Sequence, residues 1–218
     1  MTLPLTKTLD PADLDALTEE LAIVDRHFIR EREQHPLRRW EYALALRALD
    51  TWLETRRERG TAGVVVDVGG AGSPFHYMVG DSAIVVDPDE GDHHTLAQYL
   101  EQAPRLSQAV FCISVLEHVD DLDQFLYHLA CLTAPGGLLF LTMDCRENHG
   151  NRDEWPIDDR HFHWMRKRIF TTDLIQDGVE TPLLFLGFSR LGAADWTYHG
   201  HHLYDGFTFA SLALVKRN

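Results

Sequence analysis

Asp67 is followed at once by a glycine-dense turn, Gly69-Gly70-Ala71-Gly72, and twenty residues later by a second carboxylate, Asp87. The glycines let the backbone turn sharply and let a ligand approach it without obstruction by a Cβ. A carboxylate at the position of Asp87, at the end of the next strand, can accept two hydrogen bonds from a sugar diol. Further along, Ser114, Glu117 and His118 lie close together, and Asp144 closes a later apolar run. An imidazole titrates close to neutral pH, so His118 can take a proton, or it can be a loop histidine held by a carboxylate. Glu117 reads as a residue that caps or orients its loop. Asp144 reads equally as a substrate ligand and as a strand-end cap. These residue types at these spacings suit a site that holds a nucleotide-like small molecule and moves a single proton.

The elements that must position these residues can be read from hydrophobic periodicity. Val64–Val68 lacks polar alternation and reads as a strand buried on both faces. Ser73-Pro74 then reads as an N-cap followed by a first-turn proline, opening a helix. Ala83–Asp87, Ala109–Val115 and Leu138–Met143 read as further strands, with a short one around Leu106 and a last one over Phe207–Val215. Thr95–Gln102, Asp120–Leu132 (capped by Asp120) and Thr171–Gly178 read as helices between them; Leu183–Phe188 either extends the last of these or starts a strand. Before all this, residues 1–9 read as a loose arm. Asp10-Pro11 opens a helix whose face carries Leu14, Leu17, Leu21, Val24 and Phe28. A second helix over Leu37–Arg59 carries the stripe Trp40, Leu44, Ala48 and Trp52. Strands alternating with helices imply a mostly parallel sheet covered on both faces. Ligands of such sheets sit at the carboxyl ends of the strands. That rule gathers Asp67–Gly72, Asp87–Pro88, Ser114–His118 and Asp144 onto one rim.

Bulk properties narrow the partners. The chain has 218 residues, 44% hydrophobic and 25% charged, which suits one globular domain with a full core plus a small appendage. A net charge of −14 repels phosphate backbones and excludes nucleic acid as an expected partner. No window is apolar for the eighteen or so residues a membrane span needs, and the first residues lack a signal-peptide pattern. The three cysteines, Cys112, Cys131 and Cys145, show no C-x-x-C spacing and fit reduced thiols in the cytoplasm.

The run Val-Val-Asp67-Val-Gly-Gly-Ala-Gly72, Asp87 at the second strand end, Ile113-Ser114-Val115-Leu116-Glu117-His118-Val119-Asp120 and Leu132-Thr133-Ala134-Pro135-Gly136-Gly137-Leu138 together resemble the class I S-adenosylmethionine-dependent methyltransferases. The resemblance covers roughly residues 62–216, and its last two motifs are the specific ones. Ala71 and Ser73 stand where the family carries its middle and last glycines. The resemblance implies a Rossmann-like three-layer α/β sandwich with a seven-strand, mostly parallel sheet, an antiparallel last strand and an N-terminal helical cap. It divides the chain into a cap over residues 1–60 and a cofactor-binding domain over residues 61–218. It also implies roles. Asp67 and the backbone of Gly69, Gly70, Ala71 and Gly72 hold the methionyl part of S-adenosylmethionine. Asp87 holds the ribose, Pro88 lies beside the adenine, and Ile113 and Ser114 present backbone groups near the sulfonium. His118 becomes the candidate catalytic base for methyl transfer to O or N of a small molecule.

Two other readings stay open. A nicotinamide-dependent oxidoreductase would use the same Asp87, but its G-x-G-x-x-G would require glycine where Phe75 stands. A cofactor-binding member without turnover would keep the rim and lose the base. Arg39 or Tyr42 could reach the methionyl carboxylate from the second helix, though helix packing and surface charge explain them too. His161-x-His163 has ligand spacing and His93-His94 and His199–His202 cluster, yet a polar, aromatic substrate cover explains them better, and no metal is assigned. Trp155, Trp164 and Trp196 could line an acceptor cavity. Trp40 and Trp52, read as exposed, offer a face for a homodimer.

Overall fold

The β-branched run of the first motif forms a strand over Val65–Val68, buried on both faces, as its unbroken apolar character requires. The computed structural model describes residues 3–28, 38–56, 63–71, 73–80, 83–88, 95–102, 106–146, 169–198 and 208–218. In chain order these contain β1 (Thr6–Thr8), α1 (Ala12–Ala16), α2 (Thr18–Phe28), α3 (Arg38–Thr55), β2 (Val65–Val68), α4 (Phe75–Val79), β3 (Ile84–Val86), α5 (Leu96–Gln102) and β4 (Ser107–Ile113). They continue through α6 (Leu122–Leu132), β5 (Thr133–Arg146), β6 (Phe170–Thr171), α7 (Thr172–Ile175), α8 (Thr181–Phe185), β7 (Phe188–Arg190), β8 (Ala194–Asp195) and β9 (Thr208–Lys216). A π-helical turn over Gln176–Glu180 joins α7 to α8.

The sheet is ordered β3-β2-β4-β5-β9-β1-β8, with β6 paired to the end of β5 and β7 paired to β9. β3, β2, β4 and β5 run parallel, and β9 returns antiparallel against β5. This is the mixed, mostly parallel α/β architecture expected, but with nine strands among the described residues instead of seven. The strand read near Leu106 is the start of β4.

The extra strand that matters is β1. Residues 1–9 were expected to be a loose arm; instead Thr6–Thr8 lies between β9 and β8, with Lys7 opposite Ser211 and Thr8 opposite Ala210. Lys7 disguises the strand, because a lysine reads as solvated. Here its ammonium is buried and meets Asp13 Oδ1 at 2.6 Å. Asp13 Oδ2 in turn accepts from Trp40 Nε1 at 2.9 Å. One carboxylate therefore ties β1, α1 and α3 together.

The sheet separates two apolar layers. On one side Trp40, Leu44, Ala48 and Trp52 of α3, with Leu17, Val24 and Phe75, pack against Val65, Phe111 and Phe140. On the other side Leu126, Leu129, Ile175 and Leu183 cover Val66, Val68, Leu139 and Leu141. The expected α3 stripe is thus present, but Trp40 and Trp52 are fully buried, which removes them as an exposed dimer face. Trp52 Nε1 donates to the Gly136 carbonyl at 2.9 Å, which fastens α3 to the Pro135-Gly136-Gly137 bend at the start of β5. Gly137 has no room for a side chain there, since a Cβ would stand 2.8 Å from the Ala134 carbonyl oxygen. The caps follow local chemistry. Pro11 and Pro74 are the N-caps of α1 and α4, one residue later than expected, while the side chains before them bond just inside: Asp10 Oδ1 accepts from Ala12 N–H, and Ser73 Oγ accepts from Phe75 N–H at 3.1 Å. The cap of α6 is Asp121, not Asp120, because the extended backbone at Asp121 aims its carboxylate at Gln124 N–H, 3.0 Å away.

Candidate functional site

The carboxyl ends of β2, β3, β4 and β5 converge, and their side chains build one rim from the predicted residues. Gly69 turns the chain out of β2 with φ 77°, and its amide donates to the Val86 carbonyl at 2.8 Å. A Cβ on Gly69 would stand 2.3 Å from Val115 Cγ2, so the turn can lie against the end of β4 only with glycine here. A Cβ on Gly70 would stand 2.5 Å from Asp67 Oδ2. The turn therefore folds back directly over the Asp67 carboxyl group. Asp87, at the end of β3, accepts from the Ala71 amide at 2.9 Å. Pro88 beside it is exposed. Ile113 ends β4 and is buried; Ser114 follows it with φ 53°, the only described residue other than glycine with positive φ. Gly72 lies outside the described residues, as do Trp155, Trp164 and the clusters His93-His94, His161-His163 and His199–His202. Among the described residues no group of three or more His, Cys, Asp or Glu side chains is placed to hold a metal ion.

Five acidic side chains at this rim are buried: Glu41, Asp67, Asp87, Glu117 and Asp144. Burial, and then the neighbouring Asp87, push the Asp67 carboxyl up to about 7. Its Oδ2 has no hydrogen-bond partner among the described residues. Glu117 points inward from the turn after β4, and its Oε1 accepts from the Asp144 amide at 2.7 Å. It therefore holds the end of β5 to the end of β4. Burial, and then Asp144, push Glu117 up to about 8, and its Oε2 is also unpartnered among the described residues. His118, one residue on, faces outward and is exposed. The Glu117-His118 pair thus splits, with the carboxyl inside and the imidazole at the open rim.

The residues that sequence reasoning missed come from α3. Glu41 is fully buried, and its Oε1 accepts from Ser114 Oγ at 2.7 Å and from Thr142 Oγ1. Its Oε2 lies 3.8 Å from Arg38 Nε. Burial raises the Glu41 carboxyl, with Arg38, Thr142 and Ser114 opposing that rise. Arg38 brings a cation to the rim: it lies within electrostatic reach of Glu41, Tyr42, Asp144 and Glu117, and its guanidinium sits 5.9 Å from the centre of the Phe209 ring. Arg39, the arginine singled out from the sequence, instead pairs with Asp25 at 2.6 Å, because it lies one residue further round the helix and faces α2. Tyr42 does reach the glycine turn: its hydroxyl lies 3.4 Å from Ser73 Oγ and its ring stacks on Phe75. The signal for Glu41 was its place beside Trp40 and four residues before Ala45, a charge set into an apolar helix face.

S-adenosylmethionine fits this rim on two observations. Asp67 Oδ2 is a buried acceptor with no donor among the described residues, as a site for the methionyl ammonium requires. The backbone over it is free of side chains at Gly69 and Gly70, where any Cβ would collide.

The methyltransferase-domain family matches residues 29–178 of the chain. Among solved structures, coclaurine N-methyltransferase bound to N-methylheliamine and S-adenosylhomocysteine is 11% identical, with 95% of this chain and 96% of that one covered and a TM-score of 0.50. Magnesium protoporphyrin IX methyltransferase from Synechocystis is 16% identical over 90% of this chain and 97% of that one, with a TM-score of 0.47. No curated protein matches the chain in sequence.

Proposed function

The chain belongs to the methyltransferase-domain family and is an S-adenosylmethionine-dependent methyltransferase, and from that premise we propose that its acceptor is an oxygen or nitrogen of a small molecule. The family match decides against the nicotinamide reading. The observation that carries the proposal is the rim itself: Asp67, the Gly69–Ala71 turn, Asp87 and Ser114 stand together at the strand ends, closed on the inside by Glu117 and Asp144.

When bound, the cofactor supplies a methyl group already activated by a positive sulfur. The chain's task is to hold and align, because little charge must be stabilised on the acceptor side. Asp67 would accept from the methionyl ammonium, and the backbone of Gly69, Gly70 and Ala71 would hold the same part. Asp87 would accept from the ribose hydroxyls, with Pro88 beside the base. Ile113 and Ser114 offer backbone groups where β4 ends. His118, exposed at the rim, takes the acceptor's proton on an imidazole nitrogen.

Charge supports the acceptor class. Arg38 lies within electrostatic reach of Glu41, Glu117 and Asp144, and the whole chain carries −14. Such a net charge favours a neutral or cationic acceptor over nucleic acid or another polyanion. Cys112, Cys131 and Cys145 are all free, which suits a reducing compartment such as the cytoplasm. No helix among the described residues is long and apolar enough to cross a membrane. With Trp40 and Trp52 in the core, a homodimer would have to use another face. The experiment is a screen of small amines, phenols and acids with isotopically labelled S-adenosylmethionine. Transfer of label to an amine or hydroxyl compound is the expected result; label transferred only to RNA or protein would overturn the acceptor class.

A further inference from the structure

Ser114 stands in left-handed backbone, φ 53°, at the point where β4 ends and the rim begins. A residue with a Cβ pays of the order of 1 kcal/mol or more for that conformation, so the surroundings must impose it. Two groups do so. The Ser114 amide donates to Thr142 on the neighbouring strand, at 3.1 Å to Oγ1 and 3.2 Å to the carbonyl. The Ser114 hydroxyl donates to Glu41 Oε1 at 2.7 Å, and the Thr142 hydroxyl donates to the same oxygen. The Thr142 hydroxyl accepts from the Ser114 amide in a fixed direction because it donates its own hydrogen bond to Glu41. One carboxylate oxygen on α3 thus orders both hydroxyls and, through them, the Ser114 backbone.

We propose that Glu41 is a positioning residue of the methyl-transfer site, which clamps Ser114 and Thr142 so that the end of β4 is preformed for the cofactor. This rests on the reading of the Ser114 rim as the cofactor site. Glu41 does not itself move a proton in this arrangement, since its Oε1 is taken by two hydroxyls and its Oε2 faces Arg38. Its neighbour on the helix, Tyr42, meets Ser73 beside the glycine turn. Consecutive residues of α3 therefore touch both loops that the cofactor needs, which makes the docking of α3 part of the site.

The test compares Glu41→Gln with Glu41→Leu in the full chain, using S-adenosylhomocysteine as the probe. Glutamine keeps an oxygen that accepts from both hydroxyls; leucine removes it. Calorimetric affinity for S-adenosylhomocysteine should fall at least about tenfold in Glu41→Leu and stay within about threefold in Glu41→Gln. In the empty protein, amide exchange across residues 113–116 should quicken about tenfold in Glu41→Leu and little in Glu41→Gln, with β2 and β9 unchanged. Parental affinity and exchange in Glu41→Leu would overturn the proposal, as would a glutamine variant as impaired as leucine. If Glu41→Leu does not fold, Ser114→Ala and Thr142→Val each remove one arm of the clamp, and parental binding and exchange in both would overturn it. A parent protein that fails to bind S-adenosylhomocysteine would overturn the cofactor reading instead, while the exchange comparison would still decide what Glu41 holds.

Discussion

The Ala71 amide donates to Asp87 Oδ2 at 2.9 Å. The carboxylate read as the sugar ligand therefore also fastens the glycine turn. The two roles can be separated, because an asparagine oxygen still accepts from Ala71 but binds a diol less strongly. Asp87→Ala should weaken S-adenosylhomocysteine binding by about 100-fold or more and Asp87→Asn by about tenfold, since hydrogen bonds to a charged group contribute roughly 1.5–3 kcal/mol each. Titration calorimetry reads both. Undiminished affinity in Asp87→Ala would remove Asp87 from the sugar site.

Asp67 and Glu117 set a pH dependence with a definite sign. Both carboxyls lie above the ordinary range when folded, at about 7 and about 8. The folded state therefore keeps protons that the unfolded chain has already released. Their stabilising contribution is complete below the ordinary carboxylate range and is lost as pH rises through those two values. The urea midpoint of the empty protein should accordingly fall between about pH 5 and about pH 8. A ligand ammonium favours ionised Asp67, so S-adenosylhomocysteine affinity should rise over the lower part of the same window, with proton release on binding. Asp67→Asn should flatten that affinity profile; an unchanged slope in the variant would assign the titration to another group.

His118 faces outward while its neighbour Glu117 faces in. A base at the open rim should serve the acceptor and leave the cofactor alone. With an acceptor found by the label screen, His118→Ala should lower turnover about 100-fold or more while S-adenosylhomocysteine affinity stays within about twofold. Turnover equal to the parent's would remove His118 as the base.

The Lys7–Asp13 pair is buried on both sides, at 4% exposure for each side chain. Asp13→Ala strands the Lys7 ammonium and also frees Trp40 Nε1. It should cost about 3–5 kcal/mol in urea denaturation. Lys7→Met should cost less, since Asp13 keeps the Trp40 and Asp10 N–H donors. Equal, small losses in both variants would show that the pair does not hold β1 in the sheet.

Local patterns found the parts of this fold that local physics determines. The β-branched run of β2, the apolar stripe of α3 and the glycine bend at the start of β5 carry their structure in neighbouring residues. So does the rim, because sheet topology alone puts strand ends together. What escaped depends on partners distant in sequence. β1 reads as a loose arm because Lys7 shows its charge while Asp13, six residues on, hides the answer. Glu41 sits 73 residues from Ser114 and 101 from Thr142, so no spacing rule links them. Arg38 and Arg39 are indistinguishable in the sequence, and only the rotation of α3 decides which one faces the rim. The cap of α6 slipped by one residue because Asp120 and Asp121 offer the same chemistry, and backbone angles choose between them.

The place of β1 bears on the order in which the molecule assembles. Lys7 and Ser211 meet across 204 residues. Loop closure of that size must be achieved before the pairing gives anything back, and such long-range pairings are slow. During synthesis β1 emerges before both its partners and must wait for β9 on one side and for β8 on the other. Until then Leu5 and Leu9 have no sheet to cover, and α1 lacks its anchor through Asp13. The docking of β1 is thus expected among the last steps of folding. It would set the moment at which α3, the helix that carries Glu41 and Tyr42, becomes fixed over the rim, and so the moment at which the protein first becomes able to hold its ligand.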